Sequence, residues 1–373
     1  MKAWPLVGVF IVQTILFLAH LLLYCTWIAF WPPLAPGALL ALRISLALLS
    51  VLFIVAALLS FRITHRLVAL LYLCASVWLG FLNFFFFGAI LAWLLDLALR
   101  LAMPGAAHLA ARPAIAASLL VLAIAAAIYG LINARFLRIR RVSVTLPNLP
   151  ASWRGRTAFL ASDLHLGNIN GLRFARRIAG LAQQLKPDIV FIPGDLFDGA
   201  KVDPAVIAAP LLALRPPLGI FFATGNHEEF GDAAYFAEGL RRGGFRVLDN
   251  ECITVDGLRI VGVPYHTSTH PMSLRHFLTG LNLAGGPVTI LLQHVPNRLP
   301  IAEQAGVSLM LSGHTHGGQV FPFSWITRRA FGKFTYGLQT FGALQVFTSS
   351  GAGTWGPPMR VGTAPEVVLL QFE

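Results

Sequence analysis

Acidic side chains are scarce in this sequence and nearly missing from its first half. Of the 16 Asp and Glu residues among 373, only Asp96 precedes Asp163. A soluble chain carries about 25% charged residues, whereas 12% are charged here and 56% are hydrophobic. An ordinary single soluble domain is therefore excluded. Cysteine is equally sparse. The three present (Cys25, Cys74, Cys252) have no C-x-x-C spacing and two lie in apolar runs, so neither a disulfide framework nor a zinc–thiolate site is supported. They read as small buried apolar side chains. Internal repeats and low-complexity linkers are absent as well.

The charge that is present is unevenly spread. The net +12 divides into 10 basic against 1 acidic residue over 1–150, and 18 against 15 over 151–373. Most of the excess therefore belongs to the hydrophobic part, where basic residues mark the cytoplasmic flank of a membrane. Nucleic acid is set aside as a partner on this ground. Two parts with such different charge chemistry predict two domains in two solvents.

Four apolar runs are long enough to span a bilayer, which takes about 20 helical residues: Leu6–Phe30, Ala38–Phe61, Leu67–Leu95 and Ala114–Asn133. The segment Trp31-Pro-Pro-Leu-Ala-Pro-Gly37 must break the first from the second. The first run exceeds the ~7–15 apolar residues of a signal peptide and reads as an anchor. Lys2, Arg62, Arg66, Arg135, Arg138, Arg140 and Arg141 fall on one side, Arg100 and Arg112 on the other. This asymmetry predicts a protein of the inner or cell membrane with everything after Arg135 in the cytoplasm. Arg43 and Asp96 lie near helix ends and read as snorkelling side chains, and His20 as packed inside the bundle. A transporter should show paired intramembrane charges or broken helices in matching halves, and neither is visible.

From about residue 157 the pattern changes to short apolar strands alternating with helical stretches. Strands are predicted at Thr157–Ala161, Ile189–Pro193, Gly219–Thr224, Leu258–Val263, Val288–Leu292, Leu309–Ser312, Leu344–Ser349 and Val367–Phe372. Helices are predicted at Leu172–Leu185, Pro204–Leu214, Ala233–Arg242 and Ser273–Leu278. Such alternation argues for an α/β domain with helix-covered sheets. The domains read as 1–134 transmembrane, 135–154 a basic juxtamembrane connection, and 155–373 the α/β domain.

Polar residues collect at the C-terminal ends of these strands: Ser162-Asp-Leu-His-Leu-Gly167, Pro193-Gly-Asp-Leu-Phe-Asp198, Thr224-Gly-Asn-His-Glu228, Gln293-His294 and Ser312-Gly-His-Thr-His-Gly317. The crevice outside the carboxyl ends of strands is where α/β proteins bind ligands. Asp, His and Asn without cysteine suit Mn, Fe, Zn or Co. In Asp163-Leu-His165 and His314-Thr-His316, residues two apart would project to one side of an extended segment.

The order D-x-H, G-D, G-N-H-E, H, G-H-T-H resembles the calcineurin-like metallophosphoesterase superfamily over roughly residues 155–373. It is most similar to the membrane-linked YkuE- and YaeI-type branch. The resemblance implies an α-β-β-α sandwich binding two divalent metal ions. Asp163, His165 and His316 would hold one ion, Asn226, His294 and His314 the second, and Asp195 would bridge them. His227 would be the catalytic histidine, with Asn226 beside it. The implied activity is hydrolysis of a phosphoester or pyrophosphate in a small molecule or lipid, a UDP-2,3-diacylglucosamine-type pyrophosphatase among them. A membrane sensor with a ligand-binding but inactive domain is the alternative, and it should have lost ligands. Asp198 and Glu228 read equally as groups orienting histidines or as a helix cap and a surface charge. His266 and His270 could border the substrate or lie on a surface loop. Arg328, Arg329 and Lys333, between the apolar segments Phe321–Trp325 and Phe331–Phe334, could meet a phosphate, membrane lipid or solvent. Oligomeric state has no signature in the sequence.

Overall fold

In the computed structural model, residues 4–103 and 106–373 are described, so Lys2 lies outside them. The chain forms two compact units. One comprises residues up to Ile132 together with Gly356–Met359; the other comprises Asn133–Trp355 and Arg360–Glu373.

The first unit contains four helices long and apolar enough to cross a membrane: Trp4–Phe30, Pro36–Ser60, Arg66–Ala102 and Arg112–Asn133. Proline at the start of the second helix is tolerated because a first-turn N–H has no intrahelical acceptor to lose. Several polar groups inside this unit are paired, which lowers the cost of placing them where water is absent. The ring of His20 lies 2.7 Å from the Leu16 carbonyl and accepts from Trp78 Nε1 at 2.9 Å, as its reading inside the bundle expected. Arg43 stays exposed and donates to the Tyr24 hydroxyl at 2.8 Å. Asp96 does not snorkel. It is buried, and both its oxygens are held at 2.7 Å by the Arg112 guanidinium, which also lies over the Phe30 ring. A paired charge therefore exists where none was expected. Asp96 and Arg112 belong to different helices, and no local spacing announces the pair.

The second unit is built on two six-stranded sheets. Its strands are β1 (Arg138–Val144), β2 (Thr157–Leu160), β3 (Ile189–Ile192), β4 (Ile220–Phe222), β5 (Arg246–Val247), β6 (Glu251–Val255), β7 (Leu258–Val263), β8 (Thr289–Gln293), β9 (Leu309–Ser312), β10 (Gly337–Phe341), β11 (Leu344–Thr348) and β12 (Glu366–Phe372). One sheet runs β1-β12-β2-β3-β4-β5 and the other β10-β11-β9-β8-β7-β6. Alternation along each strand makes the layers. Ala158, Leu160, Ile189 and Phe191 pack with Ile260, Ile290, Leu292 and Leu311 in a core between the sheets. Their neighbours Phe159, Val190 and Ile192 pack outward on Ala175, Ile178 and Ala182 of helix Leu172–Leu185. Val261, Leu291 and Met310 pack on Leu274 and Leu278 of helix Pro271–Gly280. The result is the expected helix–sheet–sheet–helix sandwich.

Two sequence expectations need correction. Residues 138–144, read as part of a basic connection, form β1, which pairs in parallel with β12 from Arg138↔Glu366 to Val144↔Phe372. Its arginines line an edge strand, a place where charge discourages further pairing. The helix expected over Pro204–Leu214 is split into Pro204–Ile207 and Ala209–Leu212, because Pro210 has no N–H to continue the first. Strands β1, β5, β6 and β10 and helices Asn226–Phe230, Tyr265–Thr269, Leu299–Gln304 and Phe323–Phe331 had no predicted counterpart.

Candidate metal centre

The parallel strands β2, β3, β4, β8 and β9 all deliver their C-terminal ends to one place. Main-chain bonds continue past the strand ends and join the loops: Asp163 N donates to Gly194 O at 3.2 Å, His165 N to Asp195 O at 3.0 Å, and Gly313 N to His294 O at 2.9 Å. Asp163, His165, Asp195 and Asn226 come from one sheet, and His294, His314 and His316 from the other.

The backbone here is not extended, contrary to the expectation for the D-x-H and H-x-H pairs. Asp163, His165, Asp195, His314 and His316 all have positive φ, at 54°, 48°, 52°, 69° and 48°. This region is uncommon for residues with a Cβ, and five such residues in one cluster mark a site where strain is held for a purpose. Two glycines admit the crowding. A Cβ on Gly225 would stand 2.1 Å from Asp195 Oδ1, and one on Gly313 2.1 Å from Asp163 Oδ2.

The side chains form two adjoining groups. In the first, His316 Nε2 lies 3.4 Å from Asp163 Oδ1 and 3.0 Å from His165 Nε2. In the second, His294 Nε2 lies 3.0 Å from Asp195 Oδ2 and 3.3 Å from His314 Nδ1, which is 3.0 Å from Asn226 Oδ1. His165 Nε2 is also 3.9 Å from Asp195 Oδ2, so Asp195 stands between the groups. The structure thus brings together all seven residues named from the sequence. Three sets of three have ligand atoms close enough to share a cation: Asp163, His165 and His316; Asp195, His294 and His314; and His165, Asp195 and His227. The last set adds His227, whose Nδ1 donates to the Asp198 carbonyl at 3.0 Å and whose N–H donates to Asp195 Oδ1. Nε2 is the ring nitrogen left to act on a ligand.

This donor set fits divalent cations. Buried carboxylate oxygens and imidazole nitrogens converge, and His165 Nδ1 has no hydrogen-bond partner. Burial raises Asp163 to about 6. Burial also opposes ionisation of Asp195, but the adjacent His294 overcomes it and holds that carboxyl well below its ordinary range. His294 is the counterpart: burial lowers it, yet Asp195 lifts it to about 9. With His294 Nδ1 donating to Pro193 O at 2.9 Å, Nε2 is the ring nitrogen that faces Asp195 and would ligate a cation. His165 and His314 are pushed down by burial first, His314 to about 4, which leaves them neutral and able to ligate.

The same stretch of the chain matches known proteins. A model of the calcineurin-like phosphoesterase family matches residues 157–318. An uncharacterized metallophosphoesterase of Aquifex aeolicus is 30% identical over 250 residues, covering 66% of this chain and 95% of that protein. The chain belongs to the calcineurin-like metallophosphoesterase family. A Danio rerio transmembrane protein with a metallophosphoesterase domain is 32% identical over 269 residues, or 67% of this chain. The chain spans only 61% of that relative's length. The metallophosphoesterase YkuE of Bacillus subtilis is 28% identical over 246 residues, covering 60% of this chain and 82% of that one.

The remaining sequence candidates divide. Glu228 is neither exposed nor a surface charge. Its carboxylate accepts from Asp195 N at 3.1 Å, Phe197 N at 2.9 Å and Gly225 N at 2.7 Å, clamping two ligand-bearing loops, while burial and then Asp195 raise it to about 7. Asp198 accepts from Asn168 N and Ala200 N, with burial raising it to about 6. It ties its own loop to the one that follows His165, and His227 is held by its carbonyl rather than its carboxylate. His266 does not join the metallophosphoesterase ligands; its ring and N–H both bind Glu229 Oε1. His270 caps helix Pro271–Gly280 through its backbone. Arg328 and Arg329 lie exposed on helix Phe323–Phe331, outside the cluster.

Sequence reasoning missed Arg360. This wholly buried guanidinium donates to His316 O at 2.9 Å and Gly351 O at 3.1 Å, also binds Gly353 O, and lies 3.2 Å from His316 Nδ1. A guanidinium only donates, so His316 Nδ1 accepts, and a neutral ring then points Nε2–H at His165. Burial and then Arg360 hold His316 well below its ordinary value, so the ring is neutral. No periodic or motif signal marks a lone arginine in a glycine-rich stretch; only its contact with His316 does. Removing a group that orients a metal ligand typically costs about 10–100-fold in affinity. Arg360→Met should therefore weaken Mn2+ binding by that order in isothermal titration, with Arg360→Lys partly restoring it. Unchanged affinity in both would refute the positioning role.

Proposed function

We propose that this membrane protein is a dinuclear metal-dependent phosphohydrolase that cleaves a phosphoester or pyrophosphate bond of an amphiphilic substrate on the cytoplasmic side of the inner or cell membrane. The observation that carries it is the convergence of seven oxygen and nitrogen ligands around Asp195, with His227 Nε2 directed to the same cluster. Two divalent ions held there would neutralise phosphoryl oxygens and make a water acidic enough to attack near neutral pH. The protein supplies the rest. Asp195 and Glu228 fix the spacing of the ligand loops. Hydrogen bonding of Nδ1 to Asp198 O fixes the ring of His227, so that Nε2 can hold charge on a phosphoryl oxygen or pass a proton to the leaving oxygen.

An amphiphilic substrate is favoured by what surrounds His227. Its ring meets Phe230 at 5.1 Å and Trp355 at 5.6 Å, both edge-on, and these aromatics are 61% and 50% exposed. Exposed aromatic groups at the edge of a polar site provide contact for an apolar portion of the ligand. A sensor lacking catalysis gains no support from any residue, since every ligand position is filled by a competent side chain.

Hydrolysis of bis-p-nitrophenyl phosphate or p-nitrophenyl phosphate by the full chain in detergent should vanish with chelator and return with Mn2+ or Zn2+. Asp195→Ala and His314→Ala should abolish turnover while the secondary structure is retained. His227→Gln should lower kcat by about 10²–10⁴-fold with metal content kept. Activity untouched by all three substitutions would remove the site assignment. Orientation has its own test: a reporter fused after Glu373 should report cytoplasm, and a signal from the opposite side would reverse the topology.

A further inference from the structure

The helix Phe323–Phe331 is turned inside out. It has no buried residue. Its less exposed positions are Ser324, Thr327 and Phe331, while Phe323, Trp325 and Ile326 are 48%, 66% and 62% exposed. Isolated exposed apolar residues need no explanation, but a contiguous group of large ones on a helix marks an interaction surface. Phe321, 40% exposed, extends the group and packs edge-on against Trp325 at 4.8 Å.

This helix is fixed to the metal centre from behind. A Cβ on Gly318, which follows His316 by two residues, would stand 2.3 Å from Ser324 Cα. The Phe331 ring lies 6.1 Å from that of His314. The missing side chain of Gly318 thus allows the helix backbone to press on the ligand loop, and the large apolar side chains are left exposed.

Charge identifies the occupant. No Asp or Glu occurs between Glu303 and Glu366, and the helix and the turn after it carry Arg328, Arg329 and Lys333. Aromatic and aliphatic side chains flanked by arginines, with no acid nearby, match the boundary between acyl chains and anionic headgroups. The same polypeptide carries four helices able to cross a membrane, so a bilayer is present at high effective concentration. A soluble partner would have to compete with it.

We propose that helix Phe323–Phe331 docks on anionic phospholipid, seating Phe323, Trp325 and Ile326 at the headgroup boundary with Arg328 and Arg329 against phosphates. This contact does not depend on the phosphohydrolase reading, and its test does not use activity. The full chain, with Cys25, Cys74 and Cys252 replaced by alanine, carries a nitroxide at Ile326→Cys or, as control, at Met272→Cys, which is 77% exposed on a different helix. In phosphatidylcholine–phosphatidylglycerol nanodiscs the label at 326 should collide with oxygen in preference to a nickel chelate several-fold more than the label at 272. Arg328→Glu/Arg329→Glu should reduce that preference. Equal preference at 326 and 272 would overturn the docking, and indifference to the arginine substitutions would overturn the anionic-lipid assignment.

Discussion

Everything in the second unit answers to one constraint: carboxylates and imidazoles removed from water must have their charges and lone pairs satisfied. Asp163 and Asp195 are buried against His165, His294 and His316, which are buried too. A buried charge without a partner costs several kcal/mol, so such a cluster persists only if its members are held together and neutralised. The two sheets hold them, since parallel strands of both end in loops tied by main-chain bonds. Glu228 and Arg360 supply the tightening, one gripping three N–H groups and the other three carbonyls and a ring nitrogen. What neutralises the centre is a proton on His294 or a divalent cation. A phosphohydrolase needs the second.

Much of this was legible in the residues. The short apolar runs that became β7 and β9, buried on both faces, and the amphipathic stretches that became helices Leu172–Leu185 and Ala233–Arg242 were placed to the residue. The ligands were legible because Asp, Asn and His repeatedly follow an apolar strand. The backbone that aims them was not: nothing local distinguishes an extended D-x-H from one with positive φ at both ends. β1 was hidden by its arginines, which read as a membrane flank, although Val142 and Val144 supply an inner face. Arg360 and the Asp96–Arg112 pair were missed for a common reason: their partners lie 44 and 16 residues away, and single-residue chemistry gives no hint of them. Glu228 reads two ways from the sequence, and only its contacts decide between them.

Amphiphilic chemistry recurs at several places in the chain. Four apolar helices, exposed aromatics beside His227 and the exposed apolar side chains of helix Phe323–Phe331 are separate features, and the proposed amphiphilic substrate and lipid contact rest on them. The proposals also draw on the excess of positive charge. It is carried by arginines near helix ends, by the edge strand β1 and by Arg328, Arg329 and Lys333, while the acids gather in the metallophosphoesterase domain, where Asp163 and Asp195 stand in the buried histidine cluster and Glu228 holds the loops.

The central claim is that the seven residues around Asp195 form one centre for two cations rather than a set of structural hydrogen bonds. The most direct measurement is metal stoichiometry of the full chain, by elemental analysis after dialysis against Mn2+, beside Asp195→Asn. Two ions per chain, with loss of tight binding in Asp195→Asn, is the predicted result. One ion or none in the unaltered chain, or two ions retained in Asp195→Asn, would contradict the account.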